Sequence, residues 1–184
     1  DENGDRAPRV YTGMQATTEV GNVLQGPFSN MGVPGAKSYH LGFSGYGNVQ
    51  NLATQSANPY FVRFASSPEA TVLEDALAQN PTFFSLWIGN NDVLGYATSG
   101  GTGEFQLNNL DPSTYGENDI TDPNAFAGIY GQMVQALAAS ASGGVLVNIP
   151  DVAAVPFFNT VPNNALALDA ETAANLTGYF QAVS

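Results

Sequence analysis

The chain has 184 residues, and 43% of them are hydrophobic, which suits one folded domain of ordinary size. It contains no cysteine, so a disulfide framework and thiolate metal ligands are excluded. The formal net charge is −12 and only four residues are basic, so binding to nucleic acid or to an anionic membrane surface, which depends on clustered Lys and Arg, is not expected.

The first predicted helix and strand follow one another directly. Ser67 suits the N-cap position of a helix and Pro68 suits its first turn. The Asn80-Pro81 pair would end this helix, because the residue before a proline disfavours helical geometry. The apolar face would consist of Val72, Leu73 and Leu77. The run from Thr82 to Ile88 is almost entirely apolar, which predicts a strand that is covered on both faces.

The alternation of helix and strand continues to the end of the chain. A second helix is expected to open at Asp122-Pro123 and to close at Ser142-Gly143-Gly144. Its apolar residues recur at helical spacing: Phe126, Ile129, Tyr130, Met133, Val134 and Leu137. A buried strand from Val145 to Ile149 and a last helix capped by Asp169 follow. This alternation predicts an α/β fold with a parallel sheet, and no apolar run approaches the ~18 residues of a membrane-spanning helix.

The stretch between Asp92 and Asp122 shows no obvious element. Its five glycines are Gly95, Gly100, Gly101, Gly103 and Gly116. Connections of this length are usually functional or disordered, so the stretch is either a wall of a substrate pocket or a surface insertion. In the first case its aromatic residues would contact the substrate: Tyr96, Phe105 and Tyr115.

Three short polar blocks stand out in the sequence, and two of them directly follow predicted strands. The strand ending at Ile88 runs into Gly89-Asn90-Asn91-Asp92, and ligands bind outside the carboxyl ends of parallel strands. Upstream, Asn30-Met31-Gly32-Val33-Pro34-Gly35 places a glycine five residues after an asparagine. A third and less specific block, Asn148-Ile149-Pro150-Asp151-Val152, follows the second strand. Together these blocks resemble those of the SGNH (GDSL) ester hydrolases.

The resemblance implies both a fold and a site. The fold is an α/β three-layer, flavodoxin-like parallel sheet with flanking helices. The site is an oxyanion hole made by the side chain of Asn91 and the backbone N–H of Gly35, with Gly32 as the alternative glycine. A residue without Cβ allows close approach to a substrate, and an amide side chain offers two donors that carry no charge. The substrate would be a small-molecule or lipid ester, with no cofactor and no metal.

The family's Gly-Asp-Ser and Asp-x-x-His motifs do not occur in these 184 residues. We therefore expect the chain to be one SGNH-like domain, incomplete at both ends, whose serine nucleophile and histidine base come from flanking segments. The first strand of the sheet would be missing, so the chain alone is expected to be inactive and to be unstable or self-associating. The residues of the Gly35 and Asn91 blocks resemble those of secreted or lipoprotein-type bacterial hydrolases, which implies an extracellular or cell-envelope location. The oligomeric state stays open.

Two other functions stay open at this point. One is a non-catalytic binding module on the same scaffold, and the other is a scaffold that acts on or holds carbohydrate, with the aromatic residues after Asn91 as stacking surfaces. A calcium site is not favoured in the two acidic segments, residues 1–5 and the loop with Asp111, Glu117, Asp119 and Asp122. Calcium needs six to eight oxygen ligands in a defined arrangement, and an EF-type loop continues to a glutamate at its twelfth position, which in the first segment is Thr12.

The remaining polar residues that stand out are expected to be structural. Asn90 and Asp92 would brace their loop, and Asp151 would brace the loop after its strand. His40 is the only histidine and has no aspartate at the spacing of a catalytic base. Ser44 does not fit the Gly-x-Ser-x-Gly pattern of a nucleophile elbow.

Overall fold

The computed structural model describes residues 19–159 and 168–183. The chain divides into two compact units, one that ends at Val147 and one that begins at Asn148. The first is a mixed α/β unit with a small parallel sheet, and the described part of the second contains only helices. Among the described residues, no helix is both long enough and apolar enough to cross a bilayer.

The described part of the first unit contains two strands and four α-helices. In chain order they are α1 (Pro59–Val62), α2 (Val72–Ala78), β1 (Phe83–Leu86), α3 (Asn91–Thr98), α4 (Pro123–Ser140) and β2 (Gly143–Leu146). Short 3-10 helices span Ser38–Gly42, Val49–Leu52 and Pro112–Thr114. β1 and β2 pair in parallel, which confirms the α/β class and the parallel pairing expected from the sequence.

α2 begins later than the Ser67-Pro68 pair predicts. The Ser67 hydroxyl instead accepts a hydrogen bond from the Ala70 N–H in a turn. The helix is capped by Thr71, which accepts from the Glu74 N–H while the Glu74 carboxylate accepts from the Thr71 N–H. This reciprocal capping box satisfies two donors at the helix start, and it explains the shift of the boundary.

Both strands differ from their predicted bounds. β1 is shorter than Thr82–Ile88, and β2 starts at Gly143 rather than Val145. The glycines predicted to end a helix instead begin the strand, where Gly144 pairs with Phe84. A Cβ on Gly144 would lie only 2.4 Å from the Phe84 ring, so the position accepts no side chain without movement of that ring.

The sequence predicts no regular element directly after β1, and this is wrong, because α3 begins at Asn91 and continues to Thr98. The following stretch also contains the 3-10 helix Pro112–Thr114 and a parallel bridge between Phe105 and Ile120. The sequence signal for α3 is weak, since glycine and threonine interrupt it. Its first turn is fixed by the buried carboxylate of Asp92, which bonds to a distant segment.

The core of the first unit consists of two apolar clusters. One contains Ala36, Tyr46, Phe61, Ala65 and Val72, and the other contains Leu86, Met133 and Leu137. Leu86 is buried against α4, whereas Phe83 and Trp87 are 63% and 62% exposed. The expectation that both faces of β1 are covered is therefore wrong for the residues that the structure describes.

The second unit is described over 148–159 and 168–183. It contains a 3-10 helix, Val152–Ala154, and the helices α5 (Pro156–Asn159) and α6 (Ala170–Val183). Asp169 accepts a hydrogen bond from the Thr172 N–H at 2.8 Å, which confirms its predicted capping role. Asp151 likewise accepts from the Ala153 N–H and braces the turn that follows it.

Candidate functional site

Asn91 lies at the start of α3 and reaches back to the upstream block. Its Nδ2 donates a hydrogen bond to the Ala36 carbonyl at 2.9 Å, a contact between residues 55 positions apart. Gly89, two residues earlier, has a φ of 115°, a conformation that favours glycine. The sharp bend that this φ permits takes the chain from β1 into α3. One amide hydrogen of Asn91 is thus used for anchoring, and the second has no hydrogen-bond partner among the described residues.

Gly35 lies next to the carbonyl that Asn91 contacts. Its φ of 77° is in the left-handed region, and a Cβ built there meets nothing within 4 Å, so its backbone conformation rather than crowding favours glycine. Gly35 and Asn91 both line a cleft of about 900 Å³. The structure therefore brings together the two residues that the sequence resemblance pairs.

Gly32, the alternative glycine, is placed differently. Its N–H donates to the Asn30 side chain at 2.9 Å, and it lines a separate cavity of about 720 Å³ rather than the cleft. Within the described residues, the Gly35 N–H has no hydrogen-bond acceptor. Gly35 is the better placed donor of the two.

A buried polar network joins the Gly35 segment to α3. The Ser38 N–H and hydroxyl donate to the two carboxylate oxygens of Asp92, at 2.9 and 2.6 Å. Ser38 is fully buried and Asp92 is only 3% exposed. Asp92 therefore braces its loop, as expected from the sequence. The side-chain oxygen of Asn90 is buried without a hydrogen-bond partner among the described residues.

Lys37 extends this network to the far wall of the cleft. Its ammonium donates to the carbonyls of Asp119 at 2.9 Å and Gly116 at 3.4 Å. Burial lowers the pKa of Lys37, and the nearby carboxylates of Asp92, Asp119 and Glu117 oppose that shift. The role of Lys37 is not predictable from the sequence, because a single lysine without a charged neighbour belongs to no recognisable motif.

Asp119 is a second positioning residue, which the sequence singles out only as one of the acidic residues between positions 111 and 122. Its carboxylate accepts hydrogen bonds from the Glu104 N–H, the Gly116 N–H and the Gln106 amide. Burial raises the pKa of Asp119, but these hydrogen bonds outweigh burial and hold it below its ordinary value. The residue organises the loop into the wall of the cleft. Its only sequence signal is a position in a glycine-containing acidic loop.

His40 lines the cleft and has a structural partner. Its Nδ1 accepts a hydrogen bond from the Lys37 N–H at 3.1 Å, and its ring stacks on Tyr46 at 4.7 Å. Burial, with a smaller contribution from the Lys37 charge, lowers the pKa of His40 to about 4. The hydrogen bond implies that the neutral ring carries its proton on Nε2, so His40 offers the cleft an N–H donor rather than a base.

The loop after Asn91 contributes one wall of the cleft, through residues 112, 113 and 115–118. Of its aromatic residues, Tyr115 lines the cleft, whereas Tyr96 lies beside Gly101 and Phe105 is exposed at the bridge to Ile120. The Tyr115 hydroxyl donates to the Asn109 carbonyl, and its ring meets Tyr39 edge to face at 5.7 Å. Residues 112, 113 and 115–118 of this stretch therefore line the cleft, whereas Phe105 lies on the exposed surface.

The other singled-out residues lie apart from the cleft. Ser44 donates to the Glu69 carboxylate at 2.6 Å on an exposed surface, and it does not line the cleft. The described acidic residues form no cluster that could hold a metal ion. Asp111 and Asp122 accept hydrogen bonds from backbone N–H groups in turns and caps. The acidic segment 1–5 lies outside the described residues.

Comparison with known proteins gives no family for this chain. No protein-family model, no curated protein and no solved structure matches it. The function must therefore be argued from the cleft itself, from the donors that face it and from the chemistry that those donors can support.

Proposed function

We propose that this chain is the oxyanion-hole part of a serine ester hydrolase of the SGNH type. The observation that carries the proposal is the hydrogen bond from Asn91 Nδ2 to the Ala36 carbonyl, which fixes the amide one residue from the Gly35 N–H. Both groups line the same cleft of about 900 Å³.

The proposed chemistry is acyl transfer. A serine hydroxyl attacks the ester carbonyl, and the carbonyl oxygen becomes an alkoxide. The Gly35 N–H and the second Asn91 amide hydrogen donate to that oxygen as its charge develops, which is where fixed donors lower a barrier most. Because the amide and the backbone N–H do not titrate near neutral pH, this stabilisation persists across the working range of the base.

The nucleophile and base are proposed to come from segments beyond these 184 residues. The only histidine, His40, uses Nδ1 to accept from the Lys37 N–H, so it does not fill the role of base. The three-layer, flavodoxin-like sheet is part of the same proposal. In its support, β1 pairs with β2 on one edge, and no other described strand pairs with it. All four residues of β1 also line the cavity of about 720 Å³.

The proposal is tested on the protein expressed with its genomic flanking sequence, using p-nitrophenyl acetate as the ester. Substitution Asn91→Ala is expected to lower kcat by about 10²–10³ with little change in KM, because the lost donor acts mainly in the transition state. Asn124→Ala is the matched control, since Asn124 is an exposed amide at the start of α4 and does not line the cleft. Wild-type turnover in the Asn91→Ala protein would refute the oxyanion role.

A non-catalytic binding module is the second candidate. It is favoured by one observation: His40, which lines the cleft, accepts a hydrogen bond from the Lys37 N–H through Nδ1, so this ring is not placed to act as a base. The same assay separates the two candidates. Protein with its flanking sequence that binds ligand but hydrolyses no ester, and whose binding is unaffected by Asn91→Ala, would support the binding module.

A further inference from the structure

We propose that the cleft binds a neutral, hydroxyl-rich ligand, so that the substrate is an acylated saccharide rather than a long-chain lipid ester. The ester part of this inference rests on the proposed function, whereas saccharide binding by the cleft stands on the lining of the cleft alone. That lining combines an exposed carboxylate, polar side chains with unused hydrogen-bonding capacity and fixed aromatic rings.

The charge of the cleft does not match an anionic ligand. Lys37 is the one cation among the described residues that line it; it is 5% exposed, and its ammonium donates to the carbonyls of Asp119 and Gly116. His40 is neutral at pH 7 because its pKa is lowered to about 4 by burial and by Lys37. Glu117, by contrast, is an exposed carboxylate on the wall. A phosphate or carboxylate group would meet this negative charge without a free cation to bind it.

The cleft is amphipathic rather than uniformly apolar. Beside its apolar groups it carries amide side chains: Gln55, Asn58, Asn91 and Asn118. The Gln55 side chain is exposed and has no hydrogen-bond partner among the described residues, so an acyl chain laid over it would remove its water without replacing the hydrogen bonds, which is unfavourable. Ligand hydroxyl groups donate and accept, so they replace that water.

Two polar side chains of the cleft, those of Gln55 and Tyr39, make no hydrogen bond to a described residue. Gln55 is exposed in the cleft with a φ of 60°, and within the described residues its side chain has no hydrogen-bond partner. The Tyr39 ring is buried beside Tyr115, and its hydroxyl donates to no described residue. Both therefore offer unused hydrogen-bonding capacity to a ligand in the cleft.

Aromatic rings give the cleft its apolar surfaces. Tyr115 and Phe43 are half-buried, and both line the cleft. The edge-to-face contact with Tyr39 and the hydrogen bond to the Asn109 carbonyl hold the Tyr115 ring in place. The apolar C–H face of a saccharide ring can pack on such a fixed ring, while its hydroxyl edge meets the amides. A volume of about 900 Å³ accommodates a ligand of several rings.

The test is a titration of the protein expressed with its flanking sequence, followed by backbone amide NMR shifts, with xylotetraose, cellotetraose and maltotetraose as neutral probes. Dihexanoyl-phosphatidylcholine below its micellar concentration is the lipid probe. We expect one tetrasaccharide to shift the amide signals of Gly35 and Tyr115, and the lipid to shift neither. Shifts by the lipid alone, or no saccharide binding up to about 10 mM, would overturn the proposal.

Variants place the ligand in the cleft. Tyr115→Ala is expected to weaken saccharide binding roughly tenfold through loss of an aromatic surface. Gln55→Gly removes an amide at a position whose positive φ suits glycine, so it should weaken binding severalfold while the fold is kept. Phe105→Ala is the matched control, because Phe105 belongs to the same loop and does not line the cleft. Unchanged affinity in Gln55→Gly and Tyr115→Ala would overturn the proposal.

These results separate the ligand from the reaction. Binding of a tetrasaccharide by the chain, with no Asn91-dependent turnover in the protein with its flanking sequence, would refute the hydrolase and leave the saccharide site. Asn91-dependent turnover without saccharide binding would refute the saccharide site and leave the hydrolase.

Discussion

At the scale of single residues, Asp92 holds the two halves of the candidate oxyanion hole together. Its carboxylate accepts both the N–H and the hydroxyl of Ser38, three residues after Gly35, while Asn91 precedes it in the chain. Substitution Asp92→Ala would leave both Ser38 donors buried without acceptors. We expect a loss of about 3 kcal/mol in the free energy of unfolding, measured by urea denaturation.

Asp111→Ala is the control for this prediction. Asp111 also accepts from a backbone N–H and a hydroxyl, both from Ser113, but it is exposed at the start of a 3-10 helix. Water can replace its hydrogen bonds, so its removal should cost clearly less than the removal of Asp92. Equal losses in the two variants would contradict the view that burial makes Asp92 the brace of the site.

His40 gives a prediction about pH. Its pKa is lowered to about 4 by burial and by the Lys37 charge, whereas an unfolded chain has a value near 6.5. Between these values the unfolded chain binds more protons, so this contribution is fully present above pH 6.5 and is lost as the pH falls towards 4. The loss between pH 7 and pH 4 should be roughly 3 kcal/mol.

The variant His40→Asn isolates this contribution from the titration of the carboxylates. An asparagine oxygen can take the place of Nδ1 as the acceptor of the Lys37 N–H, but it does not titrate. Urea denaturation at pH 7 and pH 4 should show a smaller pH-dependent loss in the variant than in the wild type. The same loss in both proteins would mean that His40 is not buried as neutral imidazole.

At the scale of elements, the pairing of β1 with β2 depends on one glycine. Phe84 lies opposite Gly144, and a Cβ there would come within 2.4 Å of the Phe84 ring. Substitution Gly144→Ala forces the ring to move and should reduce the free energy of unfolding by about 1–3 kcal/mol. Thermal or urea unfolding measures it directly.

The neighbouring Gly143→Ala is the control within the same strand. A Cβ at Gly143 would lie 3.7 Å from the Phe83 ring, which is ordinary contact, and alanine loses less backbone entropy than glycine. This variant should be as stable as the wild type or slightly more stable. If Gly143→Ala destabilised the protein more than Gly144→Ala, the register of the two strands would be in error.

The elements that the sequence predicts well are those with a strong local pattern. α4 follows from the Asp122-Pro123 start and the helical spacing of Met133 and Leu137, both of which are buried. α3 is not predictable in this way, because its first turn is fixed by the bond between Asp92 and Ser38 across 54 positions. The Gly143-Gly144 pair is wrongly predicted to end a helix for a similar reason. Its place in β2 depends on the ring of Phe84, which faces Gly144 across the sheet.

The candidate site also contains some residues that a local sequence pattern predicts and others that only tertiary contacts reveal. Gly35 and Asn91 could be paired from motif spacing, because each lies in a short pattern of glycine and asparagine. The Lys37 ammonium, which crosses to the Asp119 carbonyl 82 positions away, has no such pattern. Motifs thus locate the donors of the site, while the groups that position them come from tertiary contacts.

At the scale of the whole molecule, the distribution of charge is the dominant feature. All four basic residues lie in the first 63 positions, and the remaining 121 positions carry twelve acidic residues and no Lys or Arg. Several of these carboxylates contact backbone N–H groups, as Asp122 does at the start of α4. Such contact pairs are screened only weakly by salt, whereas repulsion between distant exposed carboxylates is screened strongly.

This difference predicts that salt stabilises the protein. Raising NaCl from about 0.01 M to 0.15 M shortens the Debye length from about 30 Å to about 8 Å, which removes most of the long-range repulsion. We expect Tm at pH 7 to rise by about 3 °C, equivalent to about 1 kcal/mol for a chain of this size, in a calorimetric scan. The control is the same pair of scans near the isoelectric point of about 4.1, where the net charge is small and the rise should vanish. A Tm that falls with salt at pH 7 would mean that local charge contacts outweigh the repulsion, and the acidic surface would then be a stabilising feature of the fold.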